Sequence, residues 1–138
     1  MGTKIKLMLF AIALISFSCS KVESEMNSGL LNGVWVNSAT MTDTLDFNVN
    51  PGFTKSTNLF QLKRGTEVRR GQTMPKIGSG YYEYLIDGEK INLRGVLIDI
   101  HNNKDYIFKL NPDNKSLEIG AFAPFESGLS VNKFIRVD

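Results

Sequence analysis

Few residues in this sequence have the types and spacing that support chemistry. His101 is the only histidine, so a Ser/His/Asp triad or a histidine-rich zinc site would depend on this one residue, in a predicted turn beside Asn102. Asp99, Asn103 and Asp105 carry oxygen atoms at alternating positions, which suggests a cation site. The spacing and the glycine of a calcium-binding loop are missing, however. We therefore predict an exposed turn histidine, no metal site and no cofactor.

The carboxylates on the predicted strands do not form an acid and base pair either. Glu83 and Asp46 are expected on outward faces, and nothing in the sequence sets them at a defined distance from each other. No catalytic residue is therefore predicted, and an enzyme is not expected.

One charged cluster lies between two predicted strands, at residues 64–80. Glu67 is its single acidic residue. The basic residues are Lys63, just before the segment, and Arg64, Arg69, Arg70 and Lys76 within it. Such a loop could lie on anionic headgroups or hold an acidic glycan at the rim of the fold, with Arg64, Arg69 and Arg70 as rim contacts. The alternative is a solvated and mobile loop.

The N-terminal residues indicate a targeting segment. Lys4 and Lys6 form a short basic region ahead of an apolar run over residues 7–17. A membrane-spanning helix needs roughly 20 apolar residues to cross about 30 Å, and this run is shorter. We predict a signal peptide over residues 1–18. The alternative is an N-terminal anchor helix that is not cleaved.

Cys19 is the only cysteine, so it cannot form a disulfide within the chain. Residues 15–19, Ile-Ser-Phe-Ser-Cys, resemble the lipobox of Bacteroidetes-type bacterial lipoproteins, whose cysteine is acylated, for example with palmitate, and becomes the mature N-terminus. Residues 20–25 are similar to the export signal of surface lipoproteins. The resemblance implies a membrane anchor at Cys19 and a place in the cell envelope, at the outer membrane, on its periplasmic face or at the cell surface. The alternative is a secreted protein with a free thiol.

The remaining chain is close to neutral. Removing residues 1–18 takes away Lys4 and Lys6, which lowers the Lys plus Arg count from 16 to 14, against 14 Asp plus Glu. Bulk charge therefore does not indicate nucleic-acid binding. Residues 19–30 have the composition of a flexible tether behind the lipidated cysteine. One domain with a single core is expected over residues 31–138.

From residue 31 onward the apolar residues repeat with a period of two, and no amphipathic helix is evident. Asp87-Gly88 is a strong two-residue hairpin signal, and Gly95 is expected to form a bulge. The segment 64–80 is predicted to be a long loop. The predicted strands cover residues 31–37, 44–49, 57–63, 81–86, 89–100, 104–110, 116–121 and 131–137.

Eight strands joined mostly by short turns predict an all-β protein. An up-and-down antiparallel meander of this size closes, or nearly closes, into a small barrel, and an open sandwich of the same strands is the alternative. Large side chains expected on the inner face could fill the interior or contact a ligand, and they are Phe47, Phe60, Tyr82, Tyr84, Tyr106 and Phe108.

The loop before the last strand holds three more large apolar residues, near Pro124 and Gly128. Phe122, Phe125 and Leu129 either plug the barrel or form an exposed contact patch. Plugging is favoured, and the exposed arrangement would make Phe122 and Phe125 rim contacts.

Gly33-x-Trp35, the meander, and Lys-Phe-Ile-Arg-Val over residues 133–137 together resemble a lipocalin-like, calycin-type domain of a bacterial lipoprotein. The resemblance covers residues 31–138. It implies that Trp35, behind Gly33, closes one end of the barrel and that Arg136 packs over it. A guanidinium over an indole face contributes roughly 0.5 to 2 kcal/mol. This pair is structural and is not a binding site.

These features favour a non-enzymatic, lipid-anchored cell-envelope protein whose barrel binds a small apolar or amphipathic ligand, although binding follows from analogy of fold alone. The alternative is a structural or interaction module, in which a filled barrel contacts an envelope protein or a glycan through its loops. The free volume inside the barrel distinguishes the two hypotheses, because a barrel that binds a ligand needs a cavity of about 300 Å³ or more, whereas a filled barrel has none.

Overall fold

The computed structural model describes residues 29–98 and 103–137. The predicted signal peptide, Cys19, most of the tether and the turn around His101 lie outside these residues. In the described part of the chain a helical turn covers residues 29–31, and no helix is long and apolar enough to span a membrane. The strands are β1 (Val34–Asn37), β2 (Thr44–Asp46), β3 (Leu59–Lys63), β4 (Thr66–Arg69), β5 (Gln72–Pro75), β6 (Gly80–Asp87), β7 (Lys90–Val96), β8 (Lys104–Leu110), β9 (Ser116–Gly120) and β10 (Val131–Arg136).

Eight of these described strands form a closed antiparallel barrel, in the order β1, β10, β9, β8, β7, β6, β3, β2. The barrel closes because β1 pairs with β2 on one side and with β10 on the other. Closure leaves every barrel strand with two neighbours, so the sheet has no open edge. The predicted all-β, up-and-down barrel is confirmed, and the sandwich alternative is wrong.

Alternation of apolar and polar residues sets the inner face of each strand, because successive side chains in a strand point to opposite sides. On β6 the buried residues are Tyr82, Tyr84 and Ile86, and across the hairpin they face the buried Ile91 and Leu93 of β7. The turn between these strands lies one residue later than predicted: Asp87 ends β6 and pairs with Lys90, so the two central turn residues are Gly88 and Glu89, with Gly88 at a φ of 58°.

The predicted bulge at Gly95 is wrong. The β6–β7 pairing runs without a break from Asp87 opposite Lys90 to Tyr81 opposite Val96, and Gly95 lies directly opposite Tyr82. A large ring beside a glycine shields the exposed backbone, so this glycine fits a regular strand. The strand also ends at Val96 rather than continuing to residue 100, because Leu97 adopts a φ of 56°.

The predicted loop over residues 64–80 contains a second, two-stranded sheet of β4 and β5. Its turn is Arg70-Gly71, with φ values of 53° and 77°, as in the two-residue hairpin turns that need positive φ at both central positions. Most residues of this hairpin are exposed. The prediction of a long irregular loop is therefore wrong.

Because neighbouring strands run in opposite directions, their connections alternate between the two ends of the barrel. At one end, here called the tether end, lie the helical turn 29–31 and the connections 47–58, 88–89 and 111–115. At the other, here called the loop end, lie the connections 38–43, 64–79 and 121–130 and the start of the connection after β7. The two loops that carried the sequence-predicted rim contacts are therefore at the same end.

Candidate functional site

A continuous series of aromatic rings fills the barrel interior. All of its members are buried. Neighbouring rings at such spacing are in van der Waals contact, so no further molecule fits between them. Successive ring centroids lie 5.1 to 5.9 Å apart along the series Phe47, Phe60, Tyr82, Phe122, Phe125 and Phe134.

The other predicted interior residues are part of the same core. Tyr84 and Phe108 are buried, and the half-buried Tyr106 has its ring centroid 6.1 Å from that of Phe122. Burial raises the pKa of Tyr84 to about 12 and also raises the pKa of Tyr82, whose hydroxyl donates to the carbonyl of Gly78 at 2.7 Å. Both phenols are therefore neutral packing groups at physiological pH.

The tether end is closed by Trp35 and Arg136. Trp35 is fully buried, and its Nε1 donates to the Leu31 carbonyl at 2.8 Å. The Arg136 guanidinium lies 4.6 Å from the Trp35 ring centroid, so the structure brings together the pair that the resemblance implied. Gly33 enters the strand at a φ of 130°, which favours glycine. Arg136 also donates to the carbonyls of Leu30, Asn32 and Asn114.

The loop end is closed from the inside by Phe122 and Phe125. These rings are 4% and 7% exposed, and Phe122 packs edge-on against Phe60 and Tyr82. They plug the barrel and do not form rim contacts. Leu129, in the same loop, is exposed and takes no part in the plug.

Arg64 lies inside the loop end, not at its rim as predicted. Its side chain is buried, and its Nε donates to Asp43 Oδ1 at 3.1 Å. The guanidinium further donates to the carbonyls of Ile77 at 2.6 Å and Pro124 at 2.8 Å and lies 5.5 Å from the Phe125 ring centroid. Arg64 thereby joins three connections that are distant in sequence. Asp43 is a partner that sequence reasoning missed.

Two buried asparagines complete the loop end, and no sequence signal identified them. Asn37 Nδ2 donates to Asn132 Oδ1 at 3.2 Å, and the Ser127 hydroxyl donates to the same oxygen at 2.6 Å. Asn37 Oδ1 accepts from the main-chain amides of Ala39 and Thr40. Because buried amides are costly unless hydrogen-bonded, this network fixes the backbone of the first connection.

The outside of the loop end carries a set of exposed apolar side chains, here called the loop rim. Arg69 and Arg70 are exposed on the hairpin beside them, and Arg69 pairs with Glu67 at 2.9 Å. Lys76 pairs with Glu126 across two loops, and this contact lowers the pKa of the Glu126 carboxyl. The loop rim consists of Met41, Val68, Ile77, Leu97 and Leu129, each at least half exposed.

A second surface feature is an open groove of about 440 Å³ on the outer wall of the barrel, here called the wall groove. The ion pair of Glu83 with Arg94 lies in it. Its lining is mostly polar and comes from β6, β7 and the connection before β3. The lining residues are Lys55, Ser56, Thr57, Asn58, Glu83, Tyr84, Leu85, Asn92, Arg94 and Asn103.

Within residues 29–98 and 103–137, no group of three or more His, Cys, Asp or Glu side chains could hold a metal ion. The residues of the proposed cation cluster are only partly covered, since Asp99 lies outside this part of the chain. Asn103 lines the wall groove, and Asp105 accepts a hydrogen bond from Asn92 at 2.7 Å.

The chain matches no protein-family model, no curated protein and no solved structure. Its lipocalin-like and lipoprotein character therefore stays a prediction from the sequence.

Proposed function

We propose that this protein is a lipid-anchored interaction module of the cell envelope, whose filled barrel presents the loop rim to another envelope protein. The observation that carries this proposal is the interior, which is packed with aromatic rings and closed at both ends. A small apolar ligand inside the barrel would have to displace those rings. We therefore favour recognition on the outside over an interior ligand.

The loop rim supports a protein partner. Its five apolar side chains come from four connections, and Arg64 and the Lys76–Glu126 pair hold three of these together, 38–43, 64–79 and 121–130. Exposed apolar patches mark interaction sites, and Met and Arg are enriched at protein interfaces. The chain enters the barrel at the opposite end, where Arg136 binds the Leu30 carbonyl. The loop rim thus lies at the end opposite to the point where the chain enters the barrel, which favours a protein over the anchoring membrane as its partner.

The carboxylates of Glu83 and Asp46 each form an ion pair on the barrel surface. Glu83 pairs with Arg94, and Asp46 accepts from Lys63 at 2.8 Å. Each is neutralised by a neighbouring cation on the adjacent strand, as in the cross-strand pairs that stabilise sheets. Neither is placed opposite a second carboxylate as an acid and base pair would be.

Site-specific photocrosslinking in the native envelope tests the proposal. A photoreactive amino acid at Val68 or at Leu97 should give the same covalent adduct with one envelope protein, identified by mass spectrometry. Ile107 is the matched control, because it is also an apolar residue more than half exposed but lies on the barrel wall. Adducts that form equally from Ile107, or no protein adduct from either rim position, would contradict the proposal. Native mass spectrometry showing a co-purified small molecule and no protein would favour the ligand hypothesis.

A further inference from the structure

We propose that the wall groove binds a neutral oligosaccharide. The groove lies on the side of the barrel, on strands β6 and β7, and shares no residue with the loop rim. This inference therefore does not depend on the protein partner proposed above.

The floor of the groove is a pair of adjacent cross-strand contacts on the outer face. Glu83 lies opposite Arg94, and Leu85 lies opposite Asn92. Arg94 Nε donates to Glu83 at 2.8 Å, and the Thr54 hydroxyl lies 3.4 Å from the other Glu83 oxygen. The carboxylate and the guanidinium are thus held in fixed positions before any ligand arrives. Such preorganisation lowers the entropy cost of binding.

One side of the groove is made by residues 53–58, which fold back over the outer wall. Leu59 faces outward, since it lies opposite Glu83, yet it is 3% exposed and is not part of the interior core. The segment is tied down because the Phe53 and Tyr81 ring centroids lie 5.2 Å apart and the Tyr84 amide donates to the Asn58 carbonyl at 3.1 Å. The groove is therefore a built feature of the fold.

The side chains in the groove match the hydroxyl groups of a sugar. Asn58, Asn92 and Asn103 each offer an amide donor and an amide acceptor, and Ser and Thr hydroxyls lie beside them. A sugar hydroxyl also donates and accepts, and planar amide and guanidinium groups can bond two neighbouring hydroxyls at once. An apolar ligand fits poorly, because Leu85 is the main apolar side chain that the groove exposes.

The charge of the groove favours a neutral ligand. Arg94 is already paired with Glu83, so it does not present a free positive charge to an anion. Lys55 adds one cation, and Asn92 donates to the Asp105 carboxylate nearby. A phosphate or sulfate site would instead need several unpaired cations or main-chain amides converging on one point.

An aromatic pair extends the surface at one end of the groove. Tyr81 lies two residues before Glu83 on the same outer face, which corresponds to a separation of about 7 Å. Phe53 packs against it and is about half exposed. The C–H face of a pyranose ring packs well on an exposed aromatic ring. With a volume inside the usual range for ligand sites, the groove fits a linear chain of several sugar units.

Isothermal titration calorimetry on the full chain in mild detergent tests this proposal. The probes are neutral hexasaccharides of glucose, xylose, mannose and N-acetylglucosamine, measured one at a time. At least one should bind, and Asn92→Ala and Arg94→Ala should each weaken it about tenfold, which corresponds to about 1.4 kcal/mol. Arg69→Ala is the matched control, because Arg69 is also an exposed arginine paired with a glutamate but lies on the hairpin.

No measurable binding of any of the four probes would overturn the proposal, and so would equal weakening by Arg94→Ala and Arg69→Ala. Binding of an acidic hexasaccharide with no binding of the neutral ones would overturn it as well. Circular dichroism of each variant establishes that the barrel is folded. A negative calorimetry result does not change the expected photocrosslinking from the loop rim. The sugar site and the protein interface can therefore be disproved separately.

Discussion

Arg64 and Arg136 close the two ends of the barrel in a similar way. Each guanidinium lies over an aromatic ring, 5.5 Å from the centroid of Phe125 and 4.6 Å from that of Trp35. Each also donates to main-chain carbonyls of connections at its own end. The planar, permanently charged guanidinium suits this position because several donors can be satisfied at once. Arg64 also pairs with a buried carboxylate, Asp43.

We expect Arg64→Ala to destabilise the protein by about 3 to 5 kcal/mol, because it leaves the buried Asp43 carboxylate without its cation. Urea denaturation followed by tryptophan fluorescence measures the change in the free energy of unfolding. In a double-mutant cycle with Asp43→Ala, the two losses should add up to more than the loss in the double variant. The cycle separates the ion pair from the other contacts of Arg64.

Arg69→Ala serves as the control for this cycle. Arg69 and its partner Glu67 lie on the hairpin with side chains that are 43% and 35% exposed, and an ion pair near the surface contributes about 0 to 1 kcal/mol. If Arg64→Ala costs no more than Arg69→Ala, the pairing of Arg64 with Asp43 does not stabilise the loop end.

The contrast between the two arginines shows what could be predicted from the sequence. The resemblance to a lipocalin-like domain implies Arg136 near Trp35, and in the structure the register of β1 and β10 brings the two residues opposite each other. The sequence predicts Arg64 as a rim contact because it belongs to a basic cluster in a predicted loop, and loops lie at the surface. Its burial depends on Asp43, Ile77 and Pro124, which come from separate loops. Neither spacing nor composition encodes such a contact.

At the scale of elements, the strands that could be predicted are those with one buried face. In β6 and β7, period-two alternation predicts which side chains face the core, since a one-residue register shift would expose every core residue. The glycine signal locates the hairpin, although the turn is Gly88-Glu89 and not Asp87-Gly88 as predicted. The β4–β5 hairpin has no buried face, so its residues show no alternation of apolar and polar side chains. Its one local signal is Arg70-Gly71, and an Arg-Gly pair is a weaker turn signal than Asp-Gly.

Because the β4–β5 hairpin buries little apolar surface, we expect the barrel to fold without it. Replacing residues 66–75 with a short Gly-Ser linker should change the free energy of unfolding by less than about 1 kcal/mol, since the loop-closure entropy depends only weakly on length. Thermal and urea unfolding measure this. The same deletion should reduce photocrosslinking from Leu97 if the hairpin is part of the partner surface. A large loss of stability would show instead that the hairpin supports the barrel.

At the scale of the whole molecule, the two ends of the barrel differ in what they carry. The chain enters at the tether end, where Trp35 binds the Leu31 carbonyl and Arg136 binds that of Leu30. The loop rim lies at the opposite end, and the wall groove lies on the side. The closed, filled barrel holds the two proposed recognition surfaces in fixed relation to each other and to the end at which the chain enters.

The proposed attachment of the protein to the membrane depends on Cys19. A tether of residues 20–28 reaches at most roughly 30 Å when extended, so an acylated Cys19 would keep the barrel close to the membrane. A single acyl chain binds membranes only reversibly, whereas two chains give stable anchoring.

Cys19→Ala removes the only thiol in the chain and with it every acyl chain that depends on that residue. We expect the variant to move from the membrane fraction to the soluble fraction, as measured by fractionation and immunoblotting. Ser18→Ala is the control, because it keeps the cysteine and a small residue before it, and it should stay with the membrane. Retention of Cys19→Ala in the membrane at the wild-type level would show that the protein is not anchored by a lipid on this residue.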